Sequence, residues 1–165
     1  MSLLEHFAFL RDIPPPVAVF LVAMLPVVEL RGAIPLGVYL GLSPLEAALP
    51  AMLGNLVPVP ALVWLLDPVQ RWLSARSRAF DRFFRWLFAR TQSKHGERYG
   101  RFRDLALVSF VGIPLPGTGA WTGAAAAFVF GVKGWRAFFL IALGVLLAGV
   151  AVTLLLATGK ALVTR

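Results

Sequence analysis

Residues Ala137–Gly159 read AFFLIALGVLLAGVAVTLLLATG, 23 positions without a charge. As a helix rising about 1.5 Å per residue, this stretch is roughly 34 Å long, enough to cross the hydrocarbon core of a bilayer. A second run, Ala47–Leu66 (AALPAMLGNLVPVPALVWLL), holds 20 uncharged residues. Gly54, Asn55, Pro58 and Pro60 fall inside it, so this span is expected to be kinked or broken. These two stretches are the expected transmembrane helices.

Two further apolar regions read differently. Ile13–Leu42 contains Pro26, Glu29, Arg31, Gly32, Pro35 and Gly37 near its middle, and Leu105–Val132 contains Gly112, Pro114, Pro116, Gly117, Gly119 and Gly123. A straight lipid-facing helix with such a cluster would leave carbonyls unpaired, because proline lacks the amide that would bond them. Two half-helices meeting at a turn, a re-entrant hairpin, satisfy both regions. The alternative is a kinked span with one end in a loop.

Composition agrees with a membrane solution. Of 165 residues, 59% are hydrophobic and 15% charged, with mean hydropathy +0.79. Soluble domains carry roughly 25% charged residues. Disordered, disulfide-stapled and most soluble classes are thereby excluded. No cysteine is present, so there is no disulfide framework, cysteine zinc site or thiol nucleophile. His6 and His95 have no second ligand at metal spacing and read as solvated or interfacial. The N-terminus does not read as a signal peptide, since Glu5 and Asp12 offset its positive charge and three prolines precede the apolar run. No cofactor and no metal are expected.

The strongly polar segment is Asp67–Asp104, which holds ten of the sixteen cations and four acids, and so +6 of the net +8. At 100° per residue Val69, Trp72, Leu73, Phe80, Phe83, Phe84 and Leu87 fall on one face, broken only by Arg76; Arg71, Arg78, Arg82 and Arg85 lie opposite. This pattern predicts one amphipathic helix over Pro68–Arg90 in the membrane interface, its arginines meeting anionic lipid headgroups. A nucleic-acid helix would leave three phenylalanines and a tryptophan in water, so no nucleic-acid partner is expected. Thr91–Gly100 reads as a polar turn.

If each hairpin enters and leaves on one face, the chain crosses the membrane only at the two spans. The basic segment, Lys133 and Arg136 then share one side and Arg11, Lys160 and Arg165 the other, which makes the connector cytoplasmic and both termini external. The halves also resemble each other at an offset of 90. Leu25, Pro26, Gly41, Ala47, Leu53, Gly54 and Leu56 match Leu115, Pro116, Gly131, Ala137, Leu143, Gly144 and Leu146, seven identities across 33 positions. The single crossing between the copies would invert the second, an arrangement used by alternating-access transporters.

Three motifs carry a resemblance: Glu29-Leu-Arg31-Gly-Ala-Ile-Pro35-Leu-Gly37, Gly54-Asn55-x-x-Pro58-x-Pro60, and Pro114-Leu-Pro116-Gly-Thr-Gly-Ala-Trp121-Thr-Gly123. Over roughly residues 20 to 160 the chain resembles the small multidrug export protein family, a distant branch of the DedA superfamily. That resemblance implies paired re-entrant hairpins and, from DedA proteins, proton-dependent movement of lipids such as undecaprenyl phosphate. The second hairpin departs from the DedA pattern: it lacks the arginine-containing R-x-x-P-x-x-R element and has no charge from Leu105 to Val132.

Candidate binding residues follow from chemistry. Glu29 and Arg31 are the ionisable pair inside an apolar region, where a charge marks a functional site unless it snorkels to the headgroups. On a regular helix residues two apart point about 200° from each other and could not meet. Glu29 is expected to bind a proton or cation, with Arg31 neutralising it or receiving an anionic head group. Gly117, Thr118 and Gly119 place amides at the start of a half-helix through Ala120–Phe130, an anion site supplemented by the Thr118 and Thr122 hydroxyls and the Trp121 ring. The competing reading is tight packing of small residues. Asn55 reads either as an interhelical hydrogen bond or as a ligand contact.

The expected architecture is therefore an all-α polytopic membrane protein forming a single membrane domain over 1–165. Two inverted repeats (13–66 and 105–160), each a re-entrant hairpin plus a transmembrane helix, are joined by the basic connector 67–104. The expected function is transport of a small or amphipathic substrate, such as a lipid-linked phosphate or a small anion, through a cavity between the hairpins of a homodimer or higher homo-oligomer. The expected location is a bacterial or archaeal cytoplasmic (inner) membrane. The rivals are a membrane-shaping scaffold acting through its amphipathic segment, and an intramembrane enzyme. The latter would need a nucleophile, base or metal set that the apolar stretches lack.

Overall fold

Three prolines open the first helix, because a proline at the first helical positions has no amide to leave unpaired and a φ already near the helical value. The computed structural model describes residues 13–92, 97–115 and 117–163, and among them there is no strand. The helices run α1 (Pro15–Ala23), α2 (Glu29–Tyr39), α3 (Pro44–Leu56), α4 (Pro58–Arg76), α5 (Arg78–Gln92), α6 (Glu97–Gly112), α7 (Ala120–Val129) and α8 (Gly134–Val163). His6 and His95 lie outside the described residues.

The chain packs as two compact units. The first comprises α1, α2, α3 and α8 from Val145; the second runs from Pro58 to Gly144. The divisions fall at Val57/Pro58 and inside α8.

In the first unit α1, α2 and α3 pack on one another. Small residues make this possible. A Cβ on Gly37 would stand 2.8 Å from Val19 and 2.6 Å from Ala47, and one on Gly54 would stand 2.1 Å from the Phe20 carbonyl oxygen. Ala47, Ala51 and Gly54, at helical spacing, form the buried stripe of α3. Ser43 starts this helix with a reciprocal cap: its hydroxyl accepts the Glu46 N–H at 3.2 Å, and the Glu46 carboxylate accepts the Ser43 N–H at 2.7 Å. Gly149 of α8 presses on Met52 in the same unit.

In the second unit α7 packs against α4, α5 and α6. Aromatic edges fill the seams: Trp64 meets Trp135 edge-on at 5.1 Å, and Phe128 meets Phe84 and Phe88 at 6.2 and 5.3 Å. Gly144 lies against Val111 and the Val108 carbonyl.

The connector differs from its expected form. Instead of one amphipathic helix over residues 68–90, α4 runs through Pro68 to Arg76 and α5 starts at Arg78. Ser77 serves both: its N–H bonds the Leu73 carbonyl at 3.0 Å and its carbonyl accepts the Asp81 N–H at 3.0 Å. The apolar residues on either side therefore belong to two helices. The polar turn is also shorter than 91–100, since α5 reaches Gln92 and α6 starts at Glu97, with Gly100 inside it.

One local pattern recurs at an offset of 90. Leu40, Gly41 and Leu42 donate to Leu36, Val38 and Gly37 at 2.9, 3.1 and 3.0 Å, closing α2 with Gly41 at φ 96°. Phe130, Gly131 and Val132 donate to Ala126, Phe128 and Ala127 at 2.9, 3.1 and 2.8 Å, closing α7 with Gly131 at φ 71°. Both ends are Schellman caps, whose left-handed position favours glycine. Burial repeats too: positions 44–57 and 134–147 agree in buried, half-buried or exposed state at 12 of 14 sites, and 29–40 and 119–130 at 10 of 12.

Two helical stretches, Pro44–Arg76 and Gly134–Gly159, are long and apolar enough to cross a membrane. Only 22% and 39% of their most apolar windows are buried, so most of that apolar surface faces outward. Leu45, Leu49 and Leu53 on one, and Leu146, Leu154 and Leu155 on the other, are exposed. Core helices of a soluble domain would bury these side chains, whereas lipid solvates them. The chain is a membrane protein.

Candidate functional site

The first unit gathers three of the residues singled out above. Pro26 ends α1's continuation, and residues 24–28 form the turn that leads into α2 at Glu29. Glu29 takes φ +49°, the left-handed region that a non-glycine residue occupies at a cost of about 1–2 kcal/mol. Its side chain is buried, with 7% of the residue's surface exposed. The positive φ takes Glu29 out of regular helix geometry, so the rule that residues two apart point away from each other does not hold for it. Glu29 and the half-buried Arg31 interact electrostatically.

Asn55 sits near the end of α3 with none of its surface exposed, and neither Nδ2 nor Oδ1 has a hydrogen-bond partner among the described residues. The α2–α3 connection turns at Leu42, with Glu29 thirteen residues before it and Asn55 thirteen after. Glu29 thus opens α2 and Asn55 lies near the end of α3, the helix packed on it. Gly54, beside Asn55, is where α3 meets the backbone of α1. A buried carboxylate and a buried carboxamide thus belong to one unit whose other buried residues include Val19, Leu30, Ile34, Ala47 and Ala51. Among the described residues Asn55 makes no interhelical hydrogen bond.

The second tip has a different character. Gly117 is exposed at φ +81°. The Thr118 N–H donates to the Leu115 carbonyl at 3.2 Å, and its hydroxyl lies 2.9 Å from the carbonyls of Ile113 and Leu115. The Gly119 N–H donates to the Thr122 hydroxyl at 2.9 Å. Of the amides expected to face an anion, that of Thr118 bonds the Leu115 carbonyl, and that of Gly119 bonds Thr122, a threonine three residues into α7 that caps the helix from inside. Gly119, Ala120, Gly123, Ala124 and Ala127 are buried, as close packing of small residues requires, and Trp121 is half-buried beside the exposed Thr122.

Charge reading missed a set of ion pairs in the second unit. Lys133 Nζ lies 2.9 Å from Asp67 Oδ2, and Arg136 Nε lies 3.2 Å from Asp104 Oδ2. Arg103 donates to the Phe130 carbonyl at 3.2 Å, placing a cation at the C-terminus of α7. The four residues of these two pairs all border the uncharged stretches. Among the described residues no group of acids and histidines could hold a metal ion.

No curated protein and no solved structure matches the chain significantly. A family profile matches residues 29–151, from the strained glutamate of the first tip well into the final span and through all three motifs. With that match over most of its length, the chain belongs to the family described as Putative small multi-drug export protein.

Proposed function

We propose that the protein exports a small or amphipathic substrate and that Glu29 and Asn55 form the seat for the substrate's polar group. The observation that carries this reading is the Asn55 carboxamide, fully buried with both ends unpartnered among the described residues. Such a group costs about 1–3 kcal/mol for each missing bond. A substrate group that donates and accepts, brought to the level of Asn55, would recover that cost. Glu29 supplies a buried carboxylate on the helix packed against that of Asn55, able to take a proton in one half of a transport cycle and release it in the other. Arg31 balances the ionised form or meets an anionic head group, as in a lipid-linked phosphate.

The frame proposed for this site is a re-entrant hairpin. At about 1.5 Å per residue α1 and α2 are roughly 14 and 17 Å long, half of a hydrocarbon core each. The recurrence at 90 supports two copies of a hairpin-plus-helix unit, inverted by one crossing between them. The positive-inside rule sets the basic connector on the cytoplasmic side of a bacterial or archaeal inner membrane. Two spans per chain favour a homodimer or larger assembly.

The test is flux in proteoliposomes, with undecaprenyl phosphate, phospholipid and halide as probes, with and without a pH gradient. Wild-type protein should move one probe faster with the gradient, and Glu29→Gln should abolish that acceleration. Unchanged flux with unchanged pH dependence in Glu29→Gln would remove Glu29 from the mechanism.

A further inference from the structure

Helix α5 has more apolar circumference than the protein covers. At 100° per residue Trp86, Phe83, Leu87, Phe80, Phe84 and Phe88 follow one another around an arc of about 200°. Phe84 and Phe88, at one end of the arc, are engaged by Phe128 of α7. Phe80, Phe83 and Trp86, towards the other end, are left 46%, 51% and 55% exposed. The docking on α7 therefore fixes which edge of the helix is presented outward.

The arginines divide in the same way. Arg85 pairs with Asp81 one turn away. Arg78 and Arg82 make no ion pair among the described residues. With Arg85, Asp81 and Trp86 they line a single open crevice. Arg78, Arg82 and Trp86 are each four residues apart and so form one row, with neighbouring side chains about 6 Å from each other. Next to that row lies the exposed Phe83.

We propose that Arg78 and Arg82 hold the headgroup phosphate of an anionic phospholipid whose acyl chains lie along Trp86 and Phe83. Two unneutralised guanidinium groups one helical turn apart match a phosphate, which accepts charge-assisted hydrogen bonds from both. A soluble phosphate would use the arginines and leave Phe80, Phe83 and Trp86 in water. A lipid uses both halves of the surface at once. In a membrane protein this makes α5 a lipid-reading helix, independent of the substrate seat at Glu29 and Asn55.

The experiment uses the full chain purified in a neutral detergent and titrated with phosphatidylglycerol, phosphatidylcholine or inorganic phosphate. Lipid adducts are counted by native mass spectrometry. Phosphatidylglycerol should bind at least tenfold better than phosphatidylcholine, and a tenfold excess of inorganic phosphate should not displace it. The Arg78→Gln/Arg82→Gln double variant should lose about tenfold or more of that preference, at roughly fivefold per arginine. Arg85→Gln, whose partner is Asp81, should stay within twofold of wild type. Equal binding of the two lipids, displacement by inorganic phosphate, or an equal loss in Arg85→Gln would overturn the proposal. If the double variant cannot be purified, the wild-type ratio between the two lipids and the phosphate competition decide it.

Discussion

The carbonyl oxygen of Phe20 occupies the space where a side chain on Gly54 would begin, 2.1 Å from the ideal Cβ position. Backbone cannot yield as a flexible side chain can, so α1 would have to move away from α3. Gly54→Ala should cost about 1–3 kcal/mol through overpacking. Gly159→Ala is the control: among the described residues nothing lies within 4 Å of a Cβ there, and a helical alanine should be neutral or slightly stabilising. Thermal melting of both variants in detergent checks the contrast.

Ser43→Ala removes the hydroxyl that accepts the Glu46 N–H at the start of α3. The expected loss is about 1 kcal/mol, the usual value of such a cap. Glu46→Ala removes the reciprocal half, and the two losses should be less than additive because one closed unit is broken by either. Melting temperatures of the single and double variants measure the difference.

The ion pairs in the second unit should matter little for stability. Lys133 and Arg136 are 62% and 59% exposed at the side chain, and water screens such pairs. Double-mutant cycles on Asp67/Lys133 and Asp104/Arg136 should give couplings of no more than about 1 kcal/mol each, shrinking as salt is raised. A coupling well above that figure would show that lipid or protein desolvates them.

How far the sequence could be read depends on which physical rule governed each element. The helix breaks around Pro26 and Pro114 were legible, because proline acts locally, and so was the helix over Ala120–Phe130, which ends as expected before Gly131. The break at Ser77 was not, since the amphipathic period continues through it and only backbone hydrogen bonding separates α4 from α5. Glu29 could be singled out as a charge in an apolar run, but its positive φ could not. The Gly119 amide, read as facing an anion, bonds the Thr122 hydroxyl, and that threonine at the third helical position was the available signal. Asn55 stood between two readings that only its surroundings could separate.

Asn55 offers the sharpest separation of stability from function. Ninety positions later the chain places Val145, equally buried, where the first half has Asn55. Asn55→Leu removes two buried groups that lack hydrogen-bond partners and fills similar volume with apolar atoms, a change that is neutral to stabilising when no internal bond is lost. Its melting temperature should equal or exceed that of wild type. Flux should fall at least tenfold, because the substrate's polar group would meet hydrocarbon where it needs a donor and an acceptor. A variant that melts higher and transports normally would reduce Asn55 to an unsatisfied core residue. One that melts far lower would reveal a partner for the amide within the folded protein.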